Sequence, residues 1–241
     1  MSARSRSVAI GGVATVVMLV PLIGLGVWQL QRLAWKEALI AAVEERVGAP
    51  AVDLPEPSEW SKLDPRDYEY RHVRVTGVYD LAHQLLVFRA SAGGKGRFSG
   101  PGYNVMTPLT LLSGETILVN RGFVPESQKG AASIGPIKPT TVSGLMRASE
   151  DRTWFTPADD PAKGAWFTRD VEAMAAALKL GPHAPFSLDA DAGPEPLPEG
   201  GDTIVSFPNS HLSYAVTWFG MALALVGVYL AFAYSRLRAK S

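Results

Sequence analysis

From His211 to Tyr234 the chain passes through about 24 residues without a Lys, Arg, Asp or Glu, more than the roughly 20 apolar residues a helix needs to cross a bilayer. A second uncharged run, Val8 to Trp28, covers about 21. Two such runs at opposite ends of a 241-residue chain restrict the architecture more than any other feature: both are expected to span a membrane, with everything between them on one side. The first run is longer than the apolar core of a cleaved secretory signal, and no small-x-small cleavage site follows it, so it reads as a permanent anchor. Arg4 and Arg6 precede the first run, and Arg236, Arg238 and Lys240 follow the second. Basic residues are retained on the cytoplasmic side, which puts both termini inside and the centre outside. The expected parts are a cytoplasmic N-terminus (1–7), a first transmembrane helix (8–30), an exported domain (31–207), a second transmembrane helix with its entry segment (208–234) and a cytoplasmic C-terminus (235–241).

The segment after the first span, Ala34 to Val47, has the pattern of an amphipathic helix, stopped by Gly48-Ala49-Pro50. Beyond a Pro-rich connector the periodicity changes from helical to alternating. Tyr68 to Tyr79 puts Tyr70, His72, Arg74 and Thr76 on one side and Arg71, Val73, Val75 and Gly77 on the other, a strand with one apolar face. Further strands are expected at His83 to Ala90, Tyr103 to Leu112, Glu115 to Val124, Thr140 to Ala148, Phe186 to Asp189 and Thr203 to Phe207, with a tight hairpin at Ser113-Gly114. Arg121-Gly122 near the end of one strand predicts a bulge or a close backbone approach. Ser91 to Gly102 is a glycine-rich loop whose Gly93-Gly94-Lys95-Gly96 lacks P-loop spacing, Gln128 to Pro139 a loop, and Asp159-Asp160 a solvated turn. Asp170 to Leu180 is a helix stopped by Gly181-Pro182, and Ala190 to Gly201 a Pro/Gly/acidic linker. The fold class is therefore an α+β membrane protein: two transmembrane helices flank a β-rich domain built as a small antiparallel sheet or partly open barrel with one or two helices.

Composition narrows the chemistry. With 23 basic and 23 acidic residues and no cysteine, the chain offers no basic surface for nucleic acid and can form no disulfide, thiolate metal site, iron–sulfur cluster or covalent haem link. No GxSxG, HExxH or paired-carboxylate signature occurs in the central region. His72, His83 and His183 stand alone and read as structural or solvated. What remains lies at the two membrane exits, which share one bilayer surface in this topology. Trp28, Arg32 and Trp35 leave the first span at i, i+4 and i+7; His211, Tyr214 and Trp218 enter the second on one helical face. An aromatic belt with snorkelling cations fits the first set. A cofactor pocket also fits: a porphyrin takes an imidazole on its iron, aromatic walls and a cation near its propionates. His211 would then be the metal ligand, Tyr214, Trp218 and Trp28 walls, and Arg32 the propionate partner. Spacing alone puts structural capping of a membrane helix slightly ahead of such a pocket.

Several motifs, in order along nearly the whole chain, resemble the Surfeit locus protein one family. They are Gly26-Val27-Trp28-Gln29 with Arg32, Trp35 and Lys36; Tyr70-Arg71-His72-Val73 with Gly77 and Tyr79; Gly102-Tyr103-Asn104-Val105 with Thr107-Pro108-Leu109; Val119-Asn120-Arg121-Gly122; Trp166-Phe167 with Asp170; and His211-Leu212-Ser213-Tyr214-Ala215 with Thr217-Trp218-Phe219. Phe123 departs from the family's usual Trp. The resemblance implies a two-span cytochrome c oxidase assembly factor with both ends inside and its domain outside, in a bacterial member the periplasm. It further implies a protein that is not an enzyme, takes haem A from haem A synthase, and helps place it in the catalytic subunit of a haem-copper oxidase. The family's proposed haem ligand matches His211. A haem-free scaffold that stabilises an assembly intermediate is the alternative.

Overall fold

The computed structural model describes residues 3–91, 96–201, 203, 207 and 209–238, with the backbone alone at Ala3, Arg4 and Arg66. Residues 92–95 of the expected glycine-rich loop, most of the strand expected at Thr203 to Phe207, and Pro208 and Lys240 lie outside the described residues. The chain divides into two compact units, Met1–Ala42 with Ser206–Ser241, and Val43–Val205.

The first unit is a helix pair. Helix α1, Ala3–Gly48, is unbroken, merging the expected span with the amphipathic helix after it. No Gly or Pro falls between Trp28 and Val47, and Ala, Leu, Glu, Lys and Arg dominate the segment, so nothing there interrupts a helix. The stop at Gly48 is where the sequence puts it. Its antiparallel partner, here α4 in chain order, is His211–Arg238. Both are long and apolar enough to cross a membrane. Small residues let the backbones approach: Ala215 and Ala222 are buried, and a Cβ on Gly26 would stand 2.6 Å from the Phe219 ring. At the far end Gly11 and Gly12 face Tyr229, whose hydroxyl donates to the Val8 carbonyl at 3.3 Å. This is the usual solution for helices that gain little from hydrophobic burial against each other in lipid.

The second unit is built on strands β1 (Val52–Asp53), β2 (His72–Tyr79), β3 (Leu85–Arg89), β4 (Gly102–Leu111), β5 (Thr116–Pro125), β6 (Thr140–Arg147) and β7 (His183–Ala190), with helices α2 (Pro65–Tyr68) and α3 (Val171–Leu178). The sheet order is β1-β2-β6-β7-β5-β4-β3, and an added β2–β4 pairing closes the five strands from β2 to β4 into a barrel. The expected small antiparallel sheet or partly open barrel is thus corrected twice: the barrel is closed, and β5 runs parallel to β7. Closure turns on Gly77, which pairs with Thr140 of β6 and Leu111 of β4. A Cβ there would stand 2.9 Å from the Leu109 side chain, the close approach that a glycine at a barrel corner permits.

Alternate side chains fill the interior: Val73, Leu109, Ile117, Val119, Val142, Met146, Phe186 and Leu188, sealed by Trp60 and Tyr68. Trp60 meets the Phe186 ring edge-on at 5.7 Å between centroids. The opposite face of β5 is also covered, because Leu118 packs with Val87, Met106, Trp166, Val171 and Met174 beneath α3. Every residue of β5 is therefore buried, as expected of a strand with a parallel neighbour and cover on both faces. Asp170 caps α3, its carboxylate accepting from the Ala173 N–H at 3.0 Å. The helix ends at Leu178, short of the expected Leu180, because Lys179 turns left-handed with φ 54°.

Other boundaries move for local reasons. The strand expected from Tyr68 begins at His72, because Tyr68 closes α2 and Tyr70 has φ 64°. A 3-10 helix, Glu126–Ser133, takes up the first half of the expected loop at Gln128 to Pro139. The expected linker at Ala190 to Gly201 is exposed over 191–196 but packed after that: Leu197 is buried, and Glu199 and Phe123 exchange two backbone hydrogen bonds of 2.9 Å. Asp159 is not solvated. Its carboxylate is nearly enclosed, accepting from the Phe167 N–H at 2.6 Å, from the Thr168 hydroxyl at 3.1 Å and from Arg152. Burial pushes its pKa up, but those donors outweigh it and hold the carboxyl below its usual range. The bulge read from Arg121-Gly122 is present: Asn104 pairs with Phe123 and Met106 with Asn120, leaving one residue opposite two.

Candidate functional site

His211 opens α4, where Asn209 Oδ1 accepts from the His211 N–H at 3.4 Å and the Ser210 carbonyl accepts from the Tyr214 N–H at 3.2 Å. The imidazole reaches across to α1: Nδ1 lies 2.7 Å from Gln29 Oε1. With the Gln29 amide oriented this way its oxygen only accepts, so in the neutral ring the proton sits on Nδ1 and Nε2 keeps its lone pair. Among the described residues Nε2 has no hydrogen-bond partner. Gln29 is 9% exposed, and a buried amide is costly unless bonded. The pair therefore fixes both side chains, and it leaves the metal-binding nitrogen of the ring unspent.

The helix face that meets α1 is His211, Ala215, Phe219 and Ala222. Tyr214 and Trp218 flank it: Tyr214 is 55% exposed and Trp218 half-buried. Across on α1, Trp28 is 49% exposed, and the Arg32 guanidinium stacks 4.6 Å over the Trp35 ring. Lys36 stands 5.1 Å over Phe207. No hydrogen bond or ring contact joins Trp28, Arg32, Tyr214 or Trp218 to the imidazole among the described residues. Of the residues singled out from sequence, His211 is thus held by a residue outside that set, Gln29. One signal for it exists: Gln29 lies three residues after Gly26, on the same helical face, and Gly26 marks the packed side of α1.

These groups fit a porphyrin in kind. Nε2 supplies the imidazole donor, the exposed rings of Trp28 and Tyr214 supply flat apolar surface, and Arg32 makes no ion pair among the described residues, so its N–H groups are open to a carboxylate. Among the described residues no three His, Asp or Glu side chains cluster as a metal site.

The other histidines each meet a carboxylate. His83 Nδ1 bonds Asp80 at 2.7 Å, and His183 Nε2 approaches Glu172 at 3.4 Å. His72 joins the Ala49 carbonyl at 2.9 Å through Nδ1 and Asp191 at 2.8 Å through Nε2. Burial opposes its charge, but the carbonyl and Asp191 prevail and raise its pKa above 6.5. The unfolded chain releases that proton first as pH rises. The stability from this clasp is therefore full below about 6.5 and lost as pH climbs through the raised value. Denaturant titrations at about pH 6 and about pH 8 are expected to show wild type losing up to about 1 kcal/mol over that window, and His72→Gln losing none of that share.

The motif residues of β5 are structural. Asn120 Nδ2 donates to Asp189 Oδ1 at 2.9 Å, and Asn120 Oδ1 accepts from the Gly122 N–H at 3.1 Å. Arg121 donates to the carbonyls of Ala132 and Ile134 and lies 5.3 Å over the Tyr79 ring. Trp166 is fully buried.

Comparison with known proteins gives one consistent result. The profile of the SURF1 family matches residues 16–223. Mouse Surfeit locus protein 1 is 37% identical over 220 residues, covering 83% of this chain and 68% of the mouse protein. The human protein of that name is 37% identical over 233 residues, covering 87% and 73%. A SURF1-like protein of Monosiga brevicollis is 34% identical over 236 residues, covering 91% and 87%.

Proposed function

The chain belongs to the SURF1 family, and on that premise we propose that it is a cytochrome c oxidase assembly factor that binds haem A transiently through His211 and assists its insertion into the catalytic oxidase subunit. The observation that carries this reading is the His211–Gln29 pair: Nδ1 is spent on an amide oxygen at 2.7 Å and Nε2 is without a partner among the described residues. A haem iron bound at Nε2 would supply no reaction here. The protein's part is to hold the cofactor and release it, so it acts as a chaperone and not as an enzyme. A single imidazole suits a cargo that must be surrendered, because a bis-histidine cage would hold it more tightly. Trp28, Tyr214 and Trp218 would line the macrocycle and Arg32 would meet a propionate. The partners are a haem-copper oxidase catalytic subunit and haem A synthase, with lipid around the helices. The proposed setting is a bacterial inner membrane with both termini cytoplasmic and the barrel periplasmic, supported by Arg6 ahead of the first apolar run and Arg236 and Arg238 behind the second.

The test is to purify the protein from cells that make haem A and record absorption spectra of wild type beside His211→Ala. A Soret band in wild type and its loss in a folded variant are expected. No haem in either, with the oxidase subunit still co-purifying, would replace this reading with that of a haem-free scaffold.

A further inference from the structure

The β domain contains a cavity of about 280 Å³, near the small end of ligand-sized sites, for which the helix-pair reading has no use. It lies beside the strand bulge at Arg121-Gly122, next to the Asn104–Phe123 pair, and bulges recur beside binding sites because they open a ladder locally. Arg89, Asn104, Arg147, Glu150, Arg169 and Asp189 are among its walls. The acceptors in this set are spent. Asp189 takes Asn120 at 2.9 Å and Arg169 at 3.0 Å on one oxygen, and Arg147 at 2.8 Å and Thr203 at 3.1 Å on the other. Glu150 takes Arg89 at 2.7 Å and the Arg169 N–H at 3.1 Å. Glu199, also lining the cavity, is held by Arg97 at 3.0 Å.

The donors are not spent. Arg89 commits a single N–H to a side chain among the described residues, although a guanidinium has five. The Asn104 amide makes no side-chain hydrogen bond there. Charge does not choose the ligand, because Arg89, Arg97, Arg147 and Arg169 are matched by Glu69, Glu150, Asp189 and Glu199. Selection falls to short-range geometry: the N–H groups of Arg89 not given to Glu150, with the Asn104 amide N–H, accept a group with two or more adjacent oxygen acceptors. We propose that this cavity binds a small oxyanion-bearing molecule, a carboxylate or a phosphate, with the Arg89 guanidinium and the Asn104 amide as its donors.

The experiment is isothermal titration of the full chain in detergent with inorganic phosphate, succinate and the neutral analogue succinamide. Saturable binding of phosphate or succinate, and none of succinamide, is expected; which of the two binds identifies the class. Arg89→Gln and Asn104→Ala are each expected to weaken binding at least tenfold, the asparagine variant at an unchanged melting temperature. Asn104→Ala breaks no side-chain hydrogen bond, so it keeps the test valid if the arginine variant is unstable. Absence of binding by both anions, equal binding of succinamide, or full affinity in Asn104→Ala would overturn the proposal.

Discussion

Replacing Asp189 by Ala is expected to cost the β domain about 3–5 kcal/mol, the usual penalty for removing one partner of a buried ion pair. The carboxylate is 5% exposed and Arg169 3%, so water cannot take over what it leaves. Arg147 keeps Glu69 at 2.8 Å, but Arg169 keeps only Glu150 at 3.6 Å and the Ala148 carbonyl at 3.4 Å, and its Nε is already without a partner. Asn120 loses its acceptor as well, and with it the brace behind the β5 bulge. The opposing effect, relief of the carboxylate's own desolvation, cannot prevail, because the guanidiniums stay buried after their counter-charge has gone. A useful contrast is Asp53→Ala, which breaks a 2.7 Å pair with Arg74 whose side chains are 82% and 54% exposed; exposed pairs of this kind contribute at most about 1 kcal/mol. Denaturant unfolding followed by fluorescence of Trp60 and Trp166, both buried in this domain, separates the two outcomes. Equal losses in the two variants would show that Asp189 is not the keystone of the barrel's polar network.

That network illustrates what the sequence does and does not disclose. Period-two alternation locates β2, because Val73 and Gly77 are buried while Arg74 and Thr76 are exposed, and a carboxylate ahead of an Ala-rich run locates the start of α3. Two uncharged runs locate the helices without reference to anything else. These signals are local, each carried by neighbours along one segment. Barrel closure is not local: it depends on Gly77 pairing with two strands and on β7 entering between β6 and β5 after a long excursion through α3. Nothing near β7 states which strand it will join. The Ala190 to Gly201 segment looks like a linker because its Pro, Gly and acidic residues are read by composition, whereas the packing of Glu199 against Phe123 depends on the bulge in a strand far away in sequence. The candidate site divides in the same way. His211 stands out as an imidazole at the edge of an apolar run, while Gln29, legible as a motif position, gains a role only when the small residues on both helices are recognised as the face of contact.

Gln29→Leu is expected to weaken haem binding by about 10–100-fold, the usual effect of removing the group that orients a metal-ligating histidine, without unfolding the helix pair. Leucine is similar in length and apolar, so it replaces a buried amide with a side chain that needs no partner, and the packing of Gly26 on Phe219 is left in place. What disappears is the acceptor on Nδ1. The ring is then free to turn about its Cβ–Cγ bond and to exchange tautomers, and part of the population presents a protonated Nε2 that cannot ligate iron. Gln29→Glu keeps an acceptor at the same reach and makes it anionic, so it should restore ligation and, by giving the imidazole more electron density, lower the reduction potential of the bound iron relative to wild type. Haem titration followed at the Soret band, with thermal melts of the same samples, provides both readouts. If the bond only ties the helices together, Gln29→Leu will change the melt and leave haem affinity as it was. If His211 binds no haem, the His211→Ala spectrum will already match wild type. The positioning role of Gln29 requires the remaining combination: an intact melt, weakened haem binding in the leucine variant, and recovery with a displaced potential in the glutamate variant.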